Sequence, residues 1–153
     1  MGSNIILTAT GGGHLEQLKQ LGFLNDYFNV TYVVADNEVN KSLKDVEFVH
    51  DYRNNTFILK YFDLVINFIQ SYFFLLKYKP EYVISTGSGS SFALCYLQKK
   101  IFKKKVIFIE SFAKRYSGTR TGMQVYKFAD YFIVQWKELL DIYPNAIYGG
   151  MIY

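Results

Sequence analysis

The chain has 153 residues, enough for one domain with a real core and too few for two ordinary ones. Half of them are apolar, with 14 Phe and 14 Tyr, which excludes a disordered chain, and the single cysteine, Cys95, excludes a disulfide framework or a cysteine-built zinc site and suits a reducing cytoplasm. The net charge of +4 is uneven: residues 1–51 carry −4 and residues 52–153 carry +8, with eight basic residues and one acid between Lys99 and Arg120.

The opening MGSNIILTATGGG has no basic stretch and only a short apolar run, so no signal peptide is read there. Asn4–Thr8 (NIILT) reads as the first strand and His14–Leu24 as the first helix. Between them stand Thr10, Gly11, Gly12, Gly13 and His14. Glycines at such a junction let the backbone take positive φ and approach a ligand closely. Free N–H groups at the helix start, with the helix dipole, favour an anion, and phosphate is the natural guest. The Walker pattern is missing, and the dinucleotide fingerprint is broken because Gly11 and Gly13 fit but position 16 is Glu. Asp36, just past the second strand Val30–Val34, keeps a small nicotinamide-dependent protein open as an alternative. Histidine is the residue type suited to acid–base work, which makes His14 the candidate acid–base group; the alternative is a histidine that only bonds a nearby carbonyl.

A short helical pattern over Asn37–Leu43 and a strand over Glu47–His50 come next, with His50 read as structural. Phe57–Tyr78 is the longest helical pattern. Projected at about 100° per residue, Lys60, Asp63, Asn67, Gln70, Ser71 and Lys77 form a polar stripe, opposite an apolar arc of roughly 200° where about 100° would cover a core. The polar stripe argues against a membrane span. The surplus apolar surface suits either extra packing or contact with a membrane interface or partner. Phe62, Ile66 and Phe74 are the candidate membrane contacts on this helix, Phe74 because it stands alone in the polar stripe.

The strand Tyr82–Thr86 leads into Thr86, Gly87, Ser88, Gly89 and Ser90 at the start of a helix, Ser90–Phe102. This repeats the composition of the first loop, so the two together suggest an anion pocket better than either alone. Lys103, Lys104 and Lys105 then form a basic cluster that reads as a solvated face or an anionic-surface contact. Glu110 ends the strand Val106–Glu110, where an unpartnered carboxylate is expensive to bury. It either pairs with Lys114, Arg115 or Arg120, binds sugar hydroxyls, or holds a catalytic neighbour. A helix over Thr119–Phe128, a strand over Tyr131–Gln135 and a helix over Trp136–Tyr143 complete the pattern. The alternation indicates an α/β, doubly wound parallel sheet in a single domain, residues 1–153. No metal cluster, nucleic-acid motif or cofactor is expected.

The blocks TGGGHLEQL, YVISTGSGSSFALC, KKVIFIESFAKRYSGTRTGMQVYKFADYFIVQW and YPNAIYGGMIY resemble the PssD-type bacterial polysaccharide-biosynthesis proteins. These are similar to the membrane-recruiting subunit of the eukaryotic two-chain GlcNAc transferase and, more distantly, to the N-terminal half of MurG. The resemblance implies the Rossmann-like acceptor half of a split GT-B glycosyltransferase, the UDP-sugar being held by a separate donor-binding subunit. It implies that Gly11–Gly13 and His14, with Thr86–Ser90, face the diphosphate of a polyprenyl-diphosphate-sugar, and that His14 or Glu110 assists deprotonation of the acceptor hydroxyl. Trp136, Tyr148, Gly149, Gly150 and Tyr153 are the expected partner contacts, since aromatics commonly anchor interfaces. The expected location is the cytoplasmic face of the plasma membrane. The eukaryotic subunit carries an N-terminal membrane anchor, whereas this sequence begins at its first strand, so attachment is expected through Phe57–Tyr78 and Lys99–Lys105. A scaffold that recruits the catalytic partner without touching substrate is the alternative.

Overall fold

The computed structural model describes residues 2–52 and 57–152. Seven strands, β1 (Asn4–Ala9), β2 (Asn29–Asp36), β3 (Glu47–His50), β4 (Tyr82–Ser85), β5 (Lys105–Ile109), β6 (Tyr131–Val134) and β7 (Ile147–Tyr148), form one parallel sheet in the order β3-β2-β1-β4-β5-β6-β7. The apolar runs read as strands are buried on both faces, as a doubly covered parallel sheet requires. Ile6, Val33, Val83, Phe108 and Phe132 point to the face covered by α2 (Phe57–Tyr78), α3 (Phe92–Lys100) and α4 (Arg120–Val125). Ile5, Leu7, Val34, Ile84 and Ile109 point to the face covered by α1 (Gly13–Lys19).

Chain order reverses between β1 and β4, so the loops leaving these two strands face each other at the switch point, where ligands of such sheets bind. Both glycine-rich stretches are those loops. The α1 face is covered unevenly. Among the described residues no helix lies over its β5–β7 half, where Ile107 and Ile133 are only partly buried and Tyr131 and Ile147 are about half exposed.

Local side-chain bonding explains where the elements differ from expectation. Asn37–Leu43 is a series of turns: Asn37 Oδ1 accepts from Asn40 N–H, and the Asn40 amide donates to Thr10 O at 2.6 Å and Ala35 O at 2.8 Å. These bonds compete with a helix. The first helix leaves α geometry at Gln20 and continues to Asp26 as a 3-10 helix, while Trp136–Tyr143 contains only a 3-10 turn at Lys137–Asp141. Strand β7 was not foreseen; its two exposed residues carry too short a pattern.

The helix α2 is amphipathic in the inverted sense. Its polar residues Asp63, Asn67 and Ser71 are buried against the protein, while Tyr61, Phe62, Ile69 and Phe73 are more than half exposed. Asp63 Oδ1 accepts from His50 Nε2 at 2.8 Å, Gln70 Oε1 accepts from His50 N–H at 2.7 Å, and the Asn67 amide donates to His50 O and Ser90 O. The polar stripe thus fastens α2 to the ends of β3 and β4. By length and composition Leu59–Tyr78 could cross a membrane, but here it lies along the sheet against α3.

Candidate functional site

The two loops at the switch point are clasped through His14 and Thr86. His14 Nδ1 lies 2.8 Å from Thr86 O, and Thr86 Oγ1 donates to His14 O at 2.7 Å. A carbonyl only accepts, so the Nδ1 nitrogen carries the proton and Nε2 is the basic nitrogen of the neutral ring. His14 does bond a carbonyl, and that bond is also what would orient a base.

The glycines differ in what demands them. Gly12 has φ +58° and Gly87 φ +112°, so both sit where L side chains are strained. A Cβ on Gly87 would also stand 3.0 Å from the His14 ring, which lies close to that backbone. At Gly13 φ is ordinary and a Cβ would meet nothing within 4 Å, so protein packing does not require a glycine there. Gly12 and Gly13 are exposed, and the α1 helix behind them has only seven residues. Any anion held there would rest mainly on local amides, since so short a helix adds little dipole.

In the second loop the hydroxyls are largely used internally. Ser85 Oγ accepts from Gly87 N–H, Ser91 Oγ donates to Ser88 O at 2.9 Å, and Thr86 and Ser90 are buried. Ser88 has φ +92° and ψ 164°, a conformation occupied almost solely by glycine, and is held there by these bonds. Gly89 packs on the Tyr52 ring. Asn40, which sequence reading did not single out, anchors Thr10, and a Cβ on Gly11 would crowd its Oδ1 at 3.0 Å.

Beside His14 a cleft of about 240 Å³ opens between α1 and the loop after β5, lined by Gly13, His14, Gln17, Ser111, Phe112 and Ala113. A larger cavity of about 410 Å³ lies at the opposite edge of the sheet, between Leu75, Pro80 and Phe102, away from both glycine loops.

Glu110 is completely buried beneath this cleft. Its carboxylate accepts from Ser111 N–H, Thr119 N–H, Thr119 Oγ1 and Tyr143 Oη, at 2.8, 3.1, 3.2 and 2.8 Å. Among the described residues it pairs with none of the three cations considered, and its bonds tie the Ser111–Thr119 loop to Tyr143. Burial, then the neighbouring Glu110 charge, pushes the Tyr143 phenol above its ordinary range.

The remaining sequence-level candidates are dispersed. Trp136 donates Nε1–H to Phe112 O at 2.7 Å, and its ring packs at a tilt against Phe112 and under Arg115. Tyr148 and Gly149 lie exposed at the β7 edge, with Gly150 beside them at φ +73°; Tyr153 lies outside the described residues. Phe62 and Ile66 are exposed, but Phe74 is half buried, packing into the core and against Tyr78, because the stripe it interrupts faces inward. Lys103 is exposed, while Lys104 pairs with Glu81 and Lys105 with Asp130, so carboxylates offset part of that cluster.

Residues 5–152 match the family described as "Oligosaccharide biosynthesis protein Alg14 like". The chain belongs to the Alg14 family. Three Alg14 relatives are each named as a UDP-N-acetylglucosamine transferase subunit. The one from Homo sapiens is 28% identical over 97% of this chain and 82% of its own length. The one from Kluyveromyces lactis is 46% identical over 48% of this chain and 33% of its length. The match to the Yarrowia lipolytica Alg14 subunit likewise spans only 38% of that relative. Among solved structures, MurG of Acinetobacter baumannii superposes with a TM-score of 0.70 at 15% identity, over 89% of this chain and 42% of MurG. A UDP-GlcNAc 2-epimerase from Methanocaldococcus jannaschii gives 0.69 at 14%, over 90% and 41%. The Alg14 fold here is therefore that of half of each larger chain: the Rossmann-like α/β layer of GT-B proteins.

Proposed function

We propose that this chain is the acceptor-binding subunit of a two-chain glycosyltransferase that moves a sugar from a UDP-sugar to a polyprenyl-diphosphate-linked sugar. The observation that carries the reading is the His14–Thr86 clasp in an Alg14-family chain. It brings two small-residue loops together at the switch point and leaves one imidazole nitrogen available as a base. The glycine loops hold the diphosphate, His14 Nε2 takes the proton of the attacking acceptor hydroxyl, and Glu110 keeps the facing loop in place. The donor-binding partner seats against the half-covered β5–β7 face and the β7 edge, where Ile133, Ile147 and Tyr148 await cover. The α2 face lies on the cytoplasmic side of the membrane that carries the acceptor.

The test is reconstitution with a donor-binding glycosyltransferase subunit. The chain alone should give no turnover on a polyprenyl-diphosphate-sugar, and the pair should. His14→Ala should cost the pair about 10²–10⁴-fold in kcat, the usual range for a lost general base. Ile133→Asp should abolish co-purification while the chain stays folded. Efficient turnover by the purified chain alone would sink the split-enzyme reading. Full activity of the His14→Ala pair would remove His14 from the chemistry.

A further inference from the structure

The residue the reaction above leaves unexplained is Gln17. It is 1% exposed, and among the described residues neither its amide nitrogen nor its amide oxygen has a hydrogen-bond partner. Gln135, equally buried, shows what a structural glutamine does here: it donates to Glu110 O at 2.9 Å and accepts from Ile152 N–H at 3.1 Å. An unpaired buried amide destabilises a fold, and an apolar side chain of the same shape would serve packing better. Gln17 stands one helical turn from His14, on the same side of α1, and both line the cleft facing Ser111, Phe112 and Ala113. The cleft is smaller than the ~300–1,000 Å³ of drug-sized sites, which suits a single ring.

We propose that this cleft is a sugar subsite and that Gln17 is its specificity-determining residue. The inference rests on the acceptor reading above: with the diphosphate on the glycine loops, the first sugar attached to it falls next to His14. The carboxamide offers one donor and one acceptor together, and the complement is a pair of adjacent donor and acceptor groups on the ring. A vicinal hydroxyl pair or a hydroxyl beside an acetamido group provides it. Phe112 supplies an apolar wall for the ring's C–H face.

The test is titration of the full chain, and of its Gln17→Met and Gln17→Glu variants, with three probes: farnesyl diphosphate, glucosyl-diphospho-farnesol and N-acetylglucosaminyl-diphospho-farnesol. At least one sugar conjugate should bind about tenfold tighter than farnesyl diphosphate, as two neutral hydrogen bonds provide. The conjugate that gains tells hydroxyl from acetamido. Gln17→Met should erase the preference, leave farnesyl diphosphate binding unchanged and raise the melting temperature, because the unpaired amide is gone. Gln17→Glu, which keeps an acceptor but loses the donor, should retain part of the preference. Equal binding of all three probes, or a Gln17→Met variant that keeps the preference, overturns the subsite alone. If none of the three binds, the acceptor reading falls and takes the subsite with it.

Discussion

His14 and Thr86 hold each other through two hydrogen bonds that run in opposite directions, ring to carbonyl and hydroxyl to carbonyl, across 72 residues of sequence. One bond orients the imidazole and the other fixes the backbone that carries it. Thr86→Val keeps the shape and β-branching of the side chain but leaves His14 O without its hydroxyl donor. The expected loss is about 1 kcal/mol in unfolding free energy. In the two-chain complex, turnover should fall by about tenfold through misplacement of the ring. Urea denaturation and steady-state kinetics read the two effects separately, and the kinetic loss should lie in kcat.

The two loops also allow a test of which glycines serve the fold and which serve a ligand. Gly87→Ala meets both a positive φ and the His14 ring, so it should destabilise by about 1–3 kcal/mol and displace the imidazole. An added Cβ at Gly13 meets no protein atom within 4 Å and Gly13 lines the cleft, so Gly13→Trp should leave the melting temperature nearly unchanged while its ring blocks acceptor binding. A Gly13→Trp chain that still binds its partner but shows no turnover separates acceptor binding from scaffolding; full turnover would favour the scaffold.

Six of the seven strands and both glycine-rich loops were legible because each rests on short-range chemistry: an apolar run, a glycine that must turn, a small-residue stretch before a helix. What was not legible depended on long-range pairing. Asn37–Leu43 looks helical until Asn40 is seen to bond Thr10 and Ala35, 30 and 5 residues away. Gln17 is an ordinary helix residue in sequence and becomes notable only when burial without a partner is known. The periodicity of α2 was read correctly, but periodicity alone does not say which side faces the sheet. A polar stripe normally faces water, and only the His50, Ser90 and Asp63 bonds reveal that it faces the sheet.

The buried tyrosines set an alkaline limit on stability. Tyr143 is raised by burial and then by Glu110, and Tyr52 is pushed up to about 12 by burial, then by Asp51 and Asp63. An unfolded tyrosine ionises near pH ~10. Between that value and the folded one the unfolded chain has lost protons that the native chain keeps, so stability is complete below about pH 10 and declines as pH rises further. Urea midpoints should hold steady from pH 7 to 9 and fall from about pH 10 upward. Tyr143→Phe removes one of the four donors to Glu110, lowering the midpoint at neutral pH by about 1–2 kcal/mol of stability. It should also make the alkaline decline shallower, which a purely packing role for Tyr143 would not do.

Because α2 turns its polar residues inward, a membrane role proposed for this helix and its folding role would separate by face. On the outer face, Phe62→Asp with Phe73→Asp removes two rings that are each 62% exposed, so folding loses little. An interfacial helix draws its affinity from the apolar area it buries in lipid, and charges placed there oppose insertion. The double variant should therefore stay in the soluble fraction when mixed with phosphatidylglycerol–phosphatidylcholine vesicles, whereas the parent chain floats with them. On the inner face, Asn67→Ala strips donors from His50 O and Ser90 O, both enclosed, and should cost about 2–3 kcal/mol while vesicle binding by the remaining folded protein persists. Raising salt should weaken flotation only modestly, because Lys104 and Lys105 are already engaged by Glu81 and Asp130. Flotation unchanged in the Phe62→Asp, Phe73→Asp chain would mean that the outer face of α2 meets a protein rather than lipid.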